Sequence, residues 1–338
     1  MKPKIQVTDN VKKEQKKTAF VTTYLILAGL SLLISILTVI DLDWEEHISI
    51  RRGLLLFVSG LLFFTCLYLT INTLFLHTTT GRKIVKRYKL ESSDIYDISN
   101  KQVSAVQALF CCLTGLTSIC YSCSRNILKT SHYISEAYGW FGAAYFAYDI
   151  WSMYEVYTAK RDLIGGRFNR AVGGDGWAER ATKWAEYLVD NAVIVGHHVF
   201  IGGFGFLVIT SLRGGLGDCF FGFIYLMEAS TPFVSLRGIL SKIGLKNTPI
   251  YVINGLMMLA AFFVCRIAMF PYVIHLYSKS IKVDFISALH TLPRGCLISI
   301  AILLLPQIYW FYLMLVGATK VLKKSVSNNN NLRNFEHN

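Results

Sequence analysis

The chain alternates long apolar runs with short, mostly basic connectors, and that alternation restricts its fold more than any other feature. A helix needs about 20 consecutive apolar residues to cross a hydrocarbon core of about 30 Å, whereas runs of 10 to 14 usually belong to buried or interfacial segments. Eight runs approach or pass that length, at about 19–40, 53–76, 104–124, 133–157, 187–211, 216–234, 250–276 and 296–319. Backbone N–H and C=O groups find no partner in lipid, so such runs must be helical. The expectation is an all-α, polytopic bundle of about eight transmembrane helices. Composition agrees, since 16% of residues are charged and 53% hydrophobic, against about 25% charged in soluble domains.

The sixth run is the weakest, because it holds Asp218, Glu228 and Pro232. We expect it to be short, tilted or broken, which is tolerated where the freed backbone faces protein or water.

The net charge of +13 does not gather on one face or arm, as a nucleic-acid binder requires. Lys and Arg instead recur between spans, 25 on one side of the membrane and 8 on the other, with Arg266 left inside a span to complete the 34. The cytoplasmic side of a membrane protein collects such residues, so both termini are expected there. The division that follows is a basic arm at 1–18, an anchor helix and loop at 19–52, a transmembrane domain at 53–320 and a disordered cytoplasmic tail at 321–338. The first run is too long for a signal-peptide core and reads as a signal anchor.

All eight cysteines lie in or beside apolar runs. Cys120 and Cys123 form a C-x-x-C without the βαβ context or the second ligand pair that redox or zinc chemistry needs, so the cysteines are expected as small apolar filler. The longest connector, 158–186, is expected as a flexible cytoplasmic loop. Its GGRFNRAVGGDG lacks the G-K-[ST] of a phosphate-binding loop.

Ionisable groups at membrane depth cost at least about 2.5 to 3.5 kcal/mol and normally face a partner or a wet cavity. Asp149, His197, His198, Glu228 and Arg266, with Asn254, are placed there. Tyr145, Asp149 and Ser152 share one helix face by their spacing. Asp190 and His197, and Asn191 and His198, are each seven residues apart and are expected to stack in two stripes. A histidine can act as base or nucleophile when a carboxylate orients it. Arg266 cannot be neutralised and is expected to pair with Asp149 or Glu228. With no H-E-x-x-H helix and no histidine boxes, no metal is expected.

The segments YFAYDIWSMY, VIVGHHVFI, YLMEASTPFVSLRG and INGLMMLAAFFVCRIAMFPY, in that order and spacing, resemble the TLC-domain family, which includes TRAM-type, Lag ceramide synthase and CLN-type proteins. The stretches from Glu228 to Arg237 and from Ile253 to Ala268 look most like the smaller TLC-domain proteins linked to lipid homeostasis. The resemblance runs from Ser92 to Tyr277, and more weakly over the second and last spans. It implies a TLC-type core of the last six or seven helices around a lipid-sized cavity. It also implies His197, His198, Asp149 and Glu228 as catalytic candidates; Arg266, Tyr145, Asn254 and Arg237 are the candidate lipid or head-group contacts. Two departures stand out: no H-D-x-x-D precedes Glu228, and Gln107 stands where related proteins carry a histidine.

The implied role is in membrane lipid homeostasis, binding or modifying an acyl lipid or sphingolipid inside the membrane. The alternatives are a ceramide synthase-like N-acyltransferase, with acyl-CoA as substrate and no other cofactor, or an endoplasmic reticulum cargo or transport factor. Membrane lipids are the implied partners, self-association is compatible with the family, and nucleic acid is not implied. The endoplasmic reticulum is the implied location, with the plasma membrane as the alternative.

Overall fold

The structure is a computed structural model that describes residues 3–165 and 177–336, and among these every regular element is a helix. Helix α1 (Pro3–Val39) leads into α2 (Ile50–His77), α3 (Thr79–Tyr88), α4 (Ser92–Ser122) and α5 (Tyr133–Gly165). After the undescribed residues come α6 (Trp177–Asp190) and α7 (Ala192–Val199), the latter prolonged by π turns at Phe200–Gly205 and Val208–Leu212. Helices α8 (Asp218–Leu226) and α9 (Thr231–Lys242) are joined by a 3₁₀ turn at Met227–Ser230. Helices α10 (Pro249–Phe262) and α11 (Met269–Ile281) are joined by a π turn at Phe263–Ala268, and α12 (Phe285–Thr291) and α13 (Arg294–Glu336) close the chain.

Among the described residues, seven helical stretches are long and apolar enough to cross a membrane: Ala19–Val39, Ile50–His77, Ser92–Ser122, Ala192–Leu212, Asp218–Lys242, Pro249–Ile281 and Arg294–Lys320. The fourth expected span, now α5, is the one that composition alone does not mark. Its 33 residues make a rod about 50 Å long. It packs between α2, α4 and the π turns that prolong α7. Because protein covers it, α5 can carry Tyr138, Tyr145, Tyr148, Asp149 and Ser152 as buried residues. Phe64 of α2 lies 5.3 Å from both the Phe141 and Tyr145 rings and 6.2 Å from Tyr148. This aromatic seam fixes α2 against α5 with offset and edge-on contacts.

The boundaries depart from the expected ones where local chemistry intervenes. Helix α4 starts at Ser92 because Glu91 and Asp94 form a reciprocal capping box. Thr78 ends α2 and starts α3, donating to Leu74 O at 2.6 Å and accepting from Gly81 N at 2.9 Å. The expected fifth span is divided at Asn191, whose φ of −118° and ψ of 23° separate α6 from α7. The connector expected at 158–186 is helical up to Gly165 and again from Trp177, and its glycine-rich centre, 166–176, lies outside the described residues. At the ends, α1 begins at Pro3 within the expected basic arm, and α13 runs on to Glu336 through the expected tail. The sixth run is broken as expected, by the 3₁₀ turn that carries Glu228.

The expectation that every cysteine is apolar filler is corrected: Cys123 and Cys219 form a disulfide with a Cα–Cα distance of 4.9 Å. It joins the end of α4 to the start of α8. Around it, Asp218 is fully buried; its Oδ2 accepts from His132 N at 2.6 Å and its Oδ1 from Ser135 Oγ at 2.7 Å. Arg213 pairs with the same carboxylate and also donates to Ser135 Oγ at 2.7 Å. The connector before α5 is thus fastened to the connector before α8. Burial pushes the neighbouring His132 imidazole below its ordinary value, so at neutral pH its Nδ1 is free to accept from Ile134 N, at 3.1 Å.

Candidate functional site

Two polar clusters form where helices lose regularity. In the first, Asp149 of α5 faces α4 and α7. Asn100 Nδ2 donates to Asp149 Oδ1 at 2.8 Å, and Asn100 Oδ1 accepts from Tyr148 at 3.0 Å and from Ser152 at 2.9 Å. His198 Nδ1 lies 3.2 Å from Asp149 Oδ2. That contact has the distance of an ion pair without a directed hydrogen bond, since Nδ1 is not aimed at the oxygen. His198 also meets Phe146 at a ring separation of 5.7 Å.

The second cluster centres on Arg266, which the π turn Phe263–Ala268 presents inward. Single π turns inside α-helices are frequent at functional sites. Arg266 donates to Ser230 Oγ at 2.8 Å, Thr231 Oγ1 at 2.8 Å, Glu228 Oε2 at 3.2 Å and Gln307 Oε1 at 3.3 Å. Thr231 in turn donates to Glu228 Oε2 at 2.5 Å. The guanidinium is thereby met by an opposite charge and three neutral acceptors, which an arginine at this depth requires.

Beside the first cluster, the His197 and His198 rings lie 6.0 Å apart. His197 stands edge-on to Trp310 of α13, with ring centroids 5.2 Å apart. Helix α7 packs chiefly on α5, whereas α13 packs on α10 and its π turn. The seam between α7 and α13, where His197 meets Trp310, is therefore lightly packed. Side chains around it keep some accessibility, 14% for His198 and 24% for Glu228.

Of the residues selected from the sequence, Asp149 meets His198, with His197 beside it, and Arg266 meets Glu228 rather than Asp149. The other three are placed as follows. Tyr145 is buried and donates to Ser104 Oγ at 2.9 Å, facing α4. Asn254 donates to Phe233 O at 2.9 Å and ties α10 to α9. Arg237 stacks 4.2 Å over the Tyr251 ring and donates to Tyr251 O at 3.4 Å. The stripe expected from Asp190 to His197 does not form, because the helix breaks between them and Asp190 accepts from Tyr157 at 2.6 Å. A cleft of about 690 Å³ near Tyr157, Arg161 and Asp190 involves none of the clustered residues.

Asn100, Ser230 and Gln307 were missed. Asn100 precedes the apolar run by which α4 was recognised, and the other two are uncharged residues within such runs. Gln107, in place of a family histidine, is buried against Tyr138, whose hydroxyl donates to its backbone oxygen at 3.1 Å.

No solved structure matches the chain. The family model described as the TLC domain, of the TRAM, LAG1 and CLN8 type, matches residues 97–316, more than half of the chain and reaching into α13. This multi-pass helical membrane protein belongs to the TLC-domain family.

Proposed function

We propose that this protein acts in membrane lipid homeostasis by holding an acyl lipid, of sphingolipid type, in an intramembrane cavity bounded by α5, α7, α9, α10 and α13. The observation that carries this reading is two polar clusters at membrane depth, Asp149 with His198 and Glu228 with Arg266, each built from separate helical elements, with His198 and Glu228 still partly accessible. Polar groups so placed face a wet or occupied interior, and the lightly packed seam between α7 and α13 offers an apolar chain a sideways entry. The test is a lipidomic comparison of cells with and without the chain, repeated with His198→Ala. The reading requires a change in acyl-lipid profile on deletion that His198→Ala reproduces. An unchanged profile on deletion contradicts it.

The contact between Asp149 and His198 favours a second reading, N-acyl transfer from acyl-CoA. A carboxylate charge 3.2 Å from Nδ1 stabilises the imidazolium that forms when Nε2 takes a proton. In that reaction an amine nitrogen attacks the thioester carbonyl, His198 accepts the amine proton, the carbon–sulfur bond breaks, and His198 returns the proton to the departing coenzyme A sulfur. Labelled acyl transfer in purified membranes that is abolished by His198→Ala supports it, and full turnover by that variant excludes it.

Two features support cytoplasmic termini. Basic residues concentrate on that side, and the Cys123–Cys219 disulfide sits at the opposite end, where an oxidising compartment would maintain it. The endoplasmic reticulum membrane fits both.

A further inference from the structure

Helix α3 follows α2 after a single residue, Thr78, whose extended backbone (φ −86°, ψ 155°) turns the chain away from the axis of the span. Its first turn presses on the end of that span, where a Cβ on Gly81 would stand 2.7 Å from Phe75 Cα. Helix α3 is therefore fixed against α2 at the membrane boundary and does not prolong the span into water. Gly81, Val85 and Tyr88 recur on one face by their spacing, and Val85 and Tyr88 pack on buried Leu90, Ile95 and Ile98. The opposite face carries Lys83, Lys86 and Arg87, all exposed. The helix, TTGRKIVKRY, contains no acid. Acids that follow it are engaged elsewhere: Asp94 and Asp97 meet Lys242 and Lys101 at 2.7 and 2.6 Å, and Glu91 caps α4. Lys83, Lys86 and Arg87 thus have no carboxylate partner among the described residues.

We infer that the α3 face of Lys83, Lys86 and Arg87 docks on the head groups of acidic phospholipids. Basic clusters immediately beyond a span attract such head groups on the cytoplasmic leaflet, and the choice of leaflet rests on the orientation given above. Two features favour a lipid surface over an acidic protein. Helix α3 begins at the end of a span, and Ile84 is exposed at the edge of the basic face, the amphipathic pattern of helices that lie in the interface.

The experiment places the full-length chain in nanodiscs of equal parts phosphatidylcholine and phosphatidylserine, with spin-labelled forms of each lipid reporting what the protein holds. The unaltered chain is expected to show about a fivefold preference for phosphatidylserine, as one basic residue at an anionic surface provides, and to lose it in high salt. Lys83→Gln/Lys86→Gln/Arg87→Gln is expected to abolish the preference, and the charge-conserving Lys83→Arg/Lys86→Arg/Arg87→Lys to keep it. Lys279→Gln/Lys282→Gln/Arg294→Gln, which removes three exposed cations at the opposite ends of the spans, is expected to keep most of it. An unaltered chain without the preference overturns the inference and turns the search to an acidic protein. Equal loss in the two Gln variants, or loss in the charge-conserving one, each monodisperse on size exclusion, also overturns it. None of these outcomes touches the acyl-lipid reading, because the labels report lipid around the helices rather than lipid retained within them.

Discussion

Asp149 Oδ2 on α5 lies 3.2 Å from His198 Nδ1 on α7, while the other oxygen of the same carboxylate accepts from Asn100 of α4. One buried carboxylate thus bonds to α4 and sets a negative charge beside an imidazole of α7. Asn100 is itself held by Tyr148 and Ser152, so the carboxylate has little freedom to turn away.

Asp149→Ala leaves the Asn100 amide without its acceptor and removes the charge beside the His198 ring. The expected cost is about 2 kcal/mol, within the range for a buried group that loses its partner. Asp149→Asn keeps the shape and costs less. Thermal unfolding in one detergent orders the three proteins, and both variants are expected to lose the lipid phenotype along with His198→Ala.

The Cys123–Cys219 bond closes a long loop, its ends 96 positions apart in sequence. Denatured protein is expected to gain two alkylatable thiols on reduction, and the Cys219→Ser variant to gain none. Removing the bond lowers stability by about 2 kcal/mol, the lower end for native disulfides, because inserted helices already restrict the unfolded state.

Helices α4 and α8 touch backbone to backbone. A Cβ on Gly222 would stand 2.9 Å from Gly115 O and 2.7 Å from Ile119 Cγ1. Small residues permit this approach, as they do in other membrane bundles. Gly222→Leu is expected to cost about 3 kcal/mol through overpacking, read as a lower unfolding temperature; an unchanged temperature contradicts the close crossing.

On the connector after α1, the Arg52 guanidinium hydrogen-bonds to Asp41 and lowers its carboxyl from 3.8 to about 2. Arg52 also donates to Thr38 O at 2.7 Å, at the end of α1. A carboxyl lowered on folding stabilises the fold above its ordinary value, and that contribution is lost as pH falls through the folded value. Asp41→Asn is therefore expected to unfold at slightly lower temperature above pH 4, with the difference closing toward pH 2. Because the pair is exposed, the difference is small and shrinks further in salt.

The spans were legible because apolar length is a physical requirement of the bilayer. Asp149, Glu228 and Arg266 were legible because charge there demands a partner. Neutral amides carry no such signal: Asn100 and Gln307 resemble any polar residue beside an apolar run, yet each completes a cluster. The disulfide was hidden because Cys123 and Cys219 meet only through the crossing of α4 and α8. Asp190 was misjudged because a continuous helix was assumed through Asn191, where the chain turns. Tyr145, Asn254 and Arg237 were candidate lipid contacts, and the structure commits each to a contact between helices.

Native mass spectrometry of the purified full-length chain tests most directly whether the converging polar groups of α5, α7, α9 and α13 enclose an acyl lipid. We predict that the unaltered chain retains an acyl-lipid adduct and that folded His198→Leu retains markedly less. An unaltered chain that carries no lipid, or a folded variant that carries as much, would contradict the account.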